Sequence, residues 1–287
     1  MTYSITEISN QPAQPLRHLL QTSWQLPKRY VHFLRIKQNV LVNGQYVPMN
    51  TIINPGDQLQ MQFSEAEFRT QQGYLPNNHQ TLPILYENRD LVVINKPAGL
   101  KSHPNQPNEL DTVMNYMAAQ IAHPQMIHRL DQATSGAMII GKHPIVVPII
   151  NRLLSTHQIN REYLAVVSGQ WEENAGMINL PIGHDPNDQR KRQVNGIDAL
   201  PAQTNLKLIQ AHQTHSLLKL QLATGRTHQI RVHLMAKHHP IIGDPLYGMN
   251  PGPRMMLHAF QLHLILPFSG EKLTINAPLP IEFEQYI

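Results

Sequence analysis

The sequence predicts an α+β protein: a larger domain built on a mixed, largely antiparallel central sheet, preceded by a small α+β module. Three observations carry this. Short β-branched runs alternate with helical patterns but lack the regular βαβ rhythm of a doubly wound fold. Two hairpin signals fall near the N-terminus. A polar stretch from Ser64 to Gln80, containing Gln71-Gln-Gly73 and Pro76-Asn-Asn78, has the composition of a linker. The expected division is residues 1–75 for the module and 76–287 for the larger domain.

In the module, Leu16, Leu19 and Leu20 have helical spacing, and Pro27 suits the first turn of a second helix running to about Lys37. Val40-Leu-Val42 and Gln45-Tyr-Val47 flank Asn43-Gly44, a pair that tolerates the positive φ angles of a tight two-residue turn. Pro55-Gly56 separates Thr51-Ile-Ile53 from Leu59-Gln-Met-Gln-Phe63 and predicts a second hairpin. Beyond the linker, strands are expected at Leu91 to Asn95, Ala137 to Ile140, Tyr163 to Val167, Leu206 to Ile209, Leu217 to Leu222 and Leu264 to Leu266. Helices are expected at Thr112 to Ile121, Val146 to Thr156 and Thr227 to Met235.

With 41% hydrophobic residues the chain has enough apolar material for a sizeable core, and 15% charged residues argues against a disordered chain. The formal charge of +4 suits an anionic partner such as nucleic acid. The absence of cysteine excludes disulfides, thiolate metal sites and a thiol nucleophile. The polar opening Met1-Thr-Tyr-Ser-Ile-Thr-Glu7 does not resemble a signal peptide, and no apolar run approaches the ~18 residues of a membrane span. A soluble, cytoplasmic protein without a membrane anchor is expected.

Met126-Ile-His-Arg-Leu-Asp-Gln-Ala-Thr-Ser-Gly136 places one carboxylate, Asp131, between a basic pair and a turn-forming Thr-Ser-Gly, just before the apolar run Ala137 to Ile140. Taken alone, such an Asp is also an ordinary turn former or a partner for Arg129. The segment resembles the signature of the RluA-type pseudouridine synthases. Ile94-Asn-Lys-Pro-Ala-Gly-Leu-Lys-Ser-His-Pro104 is similar to that family's first motif, Arg161-Glu-Tyr-Leu-Ala-Val-Val-Ser-Gly169 to its Tyr-bearing strand, and Leu222-Ala-Thr-Gly-Arg-Thr-His-Gln-Ile-Arg-Val-His-Leu234 to its Gly-Arg-Thr-His-Gln block. Ile242-Gly-Asp-Pro-Leu-Tyr-Gly248, Leu257-His-Ala259 and Ala277-Pro-Leu-Pro280 follow in family order, so the resemblance runs from Leu82 to the C-terminus. Gln132 and Arg161 stand where Lys is common, and Lys101 replaces an apolar residue.

The resemblance implies the pseudouridine synthase fold, isomerisation of uridine in RNA without a cofactor, and Asp131 as the catalytic nucleophile. It implies Arg226 as the cation paired with Asp131, and Tyr163 as a stacking face for uracil and a phenol for removal of the C5 proton. Arg129 is the candidate to fill the gap left by a flipped base. His128, Thr134, Lys96, His228 and Arg231 are further candidates for substrate binding, and Arg190-Lys191-Arg192, a basic run in a polar loop, is a candidate phosphate clamp. Two short helices followed by a Val-Asn-Gly hairpin and a Pro-Gly-Asp turn resemble the S-four-type RNA-binding module. Lys28, His32 and Arg35, at i, i+4 and i+7, would give its second helix a basic face. Leu26-Pro27 replaces the usual Ser-Arg opening of that helix, and Gln38 occupies an expected Gly position.

Competing motifs are weaker. Gly136-x-x-x-x-Gly141-Lys142 lacks the Ser or Thr of a phosphate-binding loop and encloses a strand-like Ala-Met-Ile-Ile. The chain has 17 histidines, but His228, His233 and His238 recur at five-residue steps that scatter them around a helix, so no metal site is expected. No Gly-x-Ser-x-Gly elbow is present. The expected activity is therefore a cofactor-free, monomeric RNA pseudouridine synthase acting on large-subunit ribosomal RNA. The alternatives are a transfer-RNA-directed synthase and a non-catalytic RNA-binding or ribosome-assembly protein.

Overall fold

A computed structural model describes residues 2–68, 73–249 and 254–287. Its main sheet has ten strands, and along the principal path they run Ala175–Asn179, Gln203–Ala211, His215–Leu222, Asn160–Ser168, Leu257–Ile265, Ser135–Gly141, Leu91–Lys96 and Ile84–Glu87. Lys272–Asn276 pairs with Leu257–Ile265, and Gln125–Met126 with Ser135–Gly141. Every named pairing is antiparallel except one. Ser135–Gly141 runs parallel to Leu257–Ile265, joined there through Ser135 opposite His258 and Gly136 opposite Ala259. The sheet is mixed and largely antiparallel, as expected.

This parallel junction requires glycine. Gly136 has φ +111°, and a Cβ on it would stand 2.3 Å from the Ala259 carbonyl oxygen. Gly136→Ala is therefore expected to destabilise the protein by about 3 kcal/mol or more, as backbone strain and overpacking add. A lowered midpoint of urea unfolding would show it, and an unchanged midpoint would contradict the close approach.

The inner strands are buried on both faces, which explains their unbroken β-branched runs. Val92, Ile94, Met138 and Ile140 pack into one core with Val113, Met117 and Leu234, whereas Leu91, Val93 and Ile139 face a second core. That second core takes Val146, Ile149, Ile150 and Leu153, spaced i, i+3, i+4 and i+7 on the Val146–Ser155 helix. Pro148 sits in the first turn of this helix, where its missing N–H is tolerated. The Val113–Gln120 helix begins at Thr112, whose side chain accepts from the Asn115 N–H as an N-cap.

In the N-terminal region the Asn43-Gly44 turn forms as expected, with φ +50° and +83° joining Val40–Val42 to Gln45–Tyr46. The second helix is Lys28–Ile36, with Pro27 as its N-cap residue. The first is a short turn, Leu16–His18, continued by a π-helical turn, Leu19–Ser23.

The expected Pro55-Gly56 hairpin is corrected. Ile52–Ile53 pairs with Gln14–Pro15, while Gln58–Ser64 pairs with Thr2–Ile8 and with Val40–Val42. The turn forms, but the strands it joins belong to different sheets. The Ser64 to Gln80 stretch is also more packed than linker composition suggests. Ser64 and Glu67 form a capping box, Phe68 is buried, and Asn77 donates to Asp111. Residues 69–72 of this stretch lie outside the described residues. The N-terminal region shares the second core, with Trp24 edge-on to Phe268 and Arg152 donating to the Gln21 carbonyl. No described helix is long and apolar enough to cross a membrane.

Candidate active site

Asp131 lies in the loop that leads into Ser135–Gly141, and its two neighbours are pinned. On one side the buried Ser102 hydroxyl donates to the Leu130 carbonyl at 2.6 Å and accepts the Leu130 N–H at 3.1 Å. On the other, the Gln132 carbonyl accepts from Gly99 N at 2.8 Å and from Lys96 Nζ at 3.1 Å. Lys96 also donates to the Pro97 and Leu100 carbonyls at 2.8 and 2.7 Å, so three acceptors match the three N–H donors of an ammonium. Burial pushes its pKa down to about 7, against the upward pull of Asp131, with Arg254 adding to the depression. The Gln132 side chain is bonded to the Gly99 carbonyl, tying the two loops together.

Arg231 supplies the cation beside Asp131. Its Nη1 donates to Asp131 Oδ2 at 2.9 Å, while Nε and Nη2 form a two-pronged pair with Asp244 at 2.7 and 2.8 Å. The Arg231 side chain is 4% exposed and that of Asp244 0%, whereas Asp131 is 18% exposed and reaches the cleft. Burial acts to raise the Asp244 carboxyl. The bonds from Arg231, with those from the Leu246 and Tyr247 amides, outweigh it and hold the group below the usual range. One guanidinium thus spans a fully buried carboxylate, Asp244, and a cleft-facing one, Asp131.

This corrects the pairing expected of Arg226. Arg226 donates Nε to the Pro201 carbonyl at 3.0 Å and faces the same pocket without holding Asp131. The cause is local. His228 adopts a left-handed conformation, φ +58°, and the Gln229–Ala236 helix starts after it, turning Arg231 inward with Ile230 and Leu234. Buried Gln229 accepts from Arg226 N and the Thr224 hydroxyl and donates to the Gln203 carbonyl, fixing the loop that carries Arg226 and His228.

Tyr163 is buried on Asn160–Ser168, at a shift in register against Leu257–Ile265 between Glu162 and Leu164. Such irregularities re-aim a side chain. Its ring lines one pocket with Asp131, Arg129, Thr134, Arg226, His228 and Arg231. Burial raises its phenol pKa, with Asp131 adding to the rise and Arg161 opposing it. An adjoining cleft of ≈ 910 Å³ opens from Asp131 toward Arg129, His103, Arg190 and Arg254, a volume within the range of nucleotide-sized ligand sites.

Other candidates divide by position. Arg129 is exposed at the mouth of both hollows, and Thr134 closes the turn through its N–H to the Asp131 carbonyl. Arg190 pairs with Asp188 on the cleft rim, Lys191 is half-buried beside it, and the Arg192 N–H donates to Tyr247. His128 and Lys96, expected among substrate-binding groups, point inward. His128 Nε2 accepts the Ile139 N–H at 3.0 Å, and burial, aided by Arg161, lowers its pKa to about 3. Lys96 holds the loop through its three carbonyl partners, and His128 braces the strand that follows it through the Ile139 amide. Lys28, His32 and Arg35 share an exposed helix face, with Arg35 contacting His32 at 3.3 Å, and line neither hollow. Among the described residues no group of three or more His, Asp or Glu side chains is placed to hold a metal.

Sequence reasoning assigned no role to Ser102, Asp244, Tyr247 or Arg254. For Asp244 a signal existed. An arginine between Ile230 and Val232 on an apolar helix face needs a buried acid, and the Gly-Asp-Pro turn nearby offers one.

Residues 90–236 match the family described as RNA pseudouridylate synthase, slightly more than half of the chain. The chain belongs to the RNA pseudouridine synthase family. Residues 3–59 match the RluD ribosomal pseudouridine synthase N-terminal domain. Among relatives, the chain is 33% identical to an uncharacterized RNA pseudouridine synthase, YhcT, of Bacillus subtilis, covering 96% of this chain and 92% of that one. It is also 33% identical to ribosomal large subunit pseudouridine synthase D of Escherichia coli K12, covering 88% and 82%. Among solved structures, human RNA pseudouridylate synthase domain containing 1 superposes with a TM-score of 0.61 at 27% identity, covering 74% of this chain and 89% of the other. The pseudouridine synthase fold and the RluA-type assignment expected from the motifs are therefore correct, and the protein is an isomerase that acts on RNA.

Proposed function

We propose that this pseudouridine synthase isomerises uridine in large-subunit ribosomal RNA, with Asp131 as nucleophile. The observation that supports it most is the convergence of Asp131, its partner Arg231 and the ring of Tyr163 on one pocket with a basic rim. In this reaction the bond from C1′ to N1 of uracil breaks, the base turns, and a bond from C1′ to C5 forms. C5 loses its proton and N1 gains one, so no oxidant, water or group donor is consumed. Asp131 attacks the nucleotide once it is extruded into the pocket, and the bond it forms is broken again before the product leaves, which regenerates the carboxylate. Tyr163 packs against the base and takes part in removing the C5 proton, Arg226 faces the same base, and Arg129 enters the space the base has left. Arg190 and Lys191 meet phosphates at the rim, and the exposed Lys28, His32 and Arg35 add contacts from the N-terminal module.

The substrate implies a cytoplasmic protein, and a pocket that draws Asp131, Tyr163, Arg226 and Arg231 all from one chain suits a monomer. Ribosomal RNA is favoured over transfer RNA by the match of residues 3–59 to a domain named for a ribosomal enzyme. Pseudouridines mapped by carbodiimide modification and primer extension, in RNA from cells with and without the gene, test this reading. Loss at a defined large-subunit position is expected. Loss confined to a transfer RNA would redirect the substrate, and no loss at any position would contradict the reading.

A further inference from the structure

The Tyr247 hydroxyl sits between two groups. It accepts the Arg192 backbone N–H at 2.8 Å and lies 2.9 Å from His228 Nδ1. Beyond it, His228 Nε2 points at Asp131 Oδ2 from 3.9 Å, and the imidazole lines the pocket. An amide can only donate, so Arg192 occupies the acceptor side of the phenol. Nδ1 is the one other group in hydrogen-bonding reach among the described residues, and it can accept the hydroxyl hydrogen when that nitrogen carries no proton. A neutral imidazole that accepts at Nδ1 carries its proton on Nε2. The Tyr247 ring is itself held in place, buried beneath the Arg231 guanidinium at 5.0 Å.

We propose that His228 is a substrate-contacting residue locked as the neutral Nε2–H tautomer, and that it donates this hydrogen bond to an oxygen of the extruded uridine beside Asp131, with Tyr247 as the positioning residue that sets the tautomer. The inference rests on the proposed uridine isomerisation. Burial favours the neutral ring and Arg231 opposes a second cation, while Asp131 pulls the other way; the net shift is downward. A neutral N–H donor also does what a cation would not, since it recognises an oxygen without forming a competing ion pair to Asp131.

The same hydroxyl ties the site to its rim. Arg192 follows Arg190 and Lys191, and its side chain closes the loop by donating to the Gln189 and Lys191 carbonyls. Through Tyr247, the segment offered to phosphates and the imidazole offered to the base are parts of one hydrogen-bonded unit.

Nitrogen-15 NMR of the histidine rings in the free, full-length protein tests the tautomer, with the His228 signals assigned by their loss in His228→Gln. In the native protein Nδ1 is expected in the unprotonated range and Nε2 in the protonated range. In Tyr247→Phe these signals are expected to move toward a mixture of tautomers. Turnover on the mapped RNA is expected to fall about tenfold in Tyr247→Phe, with RNA affinity held within threefold. A protonated Nδ1 in the native protein would overturn the inference. So would Tyr247→Phe with an unchanged tautomer and full turnover. Because the NMR measurement needs no substrate, it stands apart from the mapping experiment. A native protein that modifies no RNA while showing the expected tautomer would count against the proposed reaction and not against the lock.

Discussion

Asp131→Asn is expected to abolish pseudouridine formation while leaving RNA affinity within about tenfold. In the proposed reaction binding rests on many phosphate contacts, each a small share of the total, whereas the chemistry rests on one carboxylate. An amide keeps the shape of the side chain and loses its nucleophilic oxygen. The fold should tolerate the change, because the loop is also held by its backbone through Ser102, Gly99 and Lys96, and an Asn oxygen can still accept from Arg231. Single-turnover assays with filter binding on the same RNA read both quantities. Retention of a tenth or more of native turnover would remove Asp131 as nucleophile.

Arg231→Lys is expected to lower turnover by about a hundredfold, equivalent to about 2.7 kcal/mol, and to lower stability as well. The guanidinium commits three N–H groups across two carboxylates that face it from different sides. An ammonium on a flexible stem cannot hold both, so either Asp131 loses its orientation or Asp244 is left buried and unpaired. Breaking a buried pair in this way typically costs about 3–5 kcal/mol. Arg226→Lys, by contrast, gives up one bond to a carbonyl and is expected to impair turnover less than Arg231→Lys does. The order of the two variants, measured side by side with urea unfolding of each, decides which arginine serves Asp131. A milder effect at Arg231 than at Arg226 would contradict the pairing seen here.

Much of this arrangement was legible in local sequence, and the failures share a physical cause. Asn43-Gly44 acts within a few residues of itself, so its turn is readable without the rest of the chain. Inner strands such as Leu91–Lys96 declare themselves through continuous apolar runs. The partner of Ile52–Ile53 is Gln14–Pro15, far away in sequence, and no local signal encodes that choice. Thr2–Ile8 was unreadable as a strand because only Ile5 of its seven residues is buried.

The site follows the same division. Asp131 and Tyr163 stand out from their motifs, but the choice between Arg226 and Arg231 depends on where the helix begins. One left-handed residue, His228, sets that start. His128 and Lys96 look like ligand-facing groups in a one-dimensional motif and prove to be interior braces, since a sequence does not display the three carbonyls that surround an amine.

Release of tritium from RNA carrying 5-tritiated uridine tests the central claim most directly, because the isomerisation must exchange the hydrogen at C5 of each converted uridine. Purified native protein incubated with large-subunit ribosomal RNA transcribed in vitro is expected to release tritium to water up to a plateau set by the number of target uridines. Asp131→Asn should release none. Release by the Asp131→Asn protein at the native rate, or none by the native protein from any ribosomal RNA of a strain lacking the gene, would contradict the account.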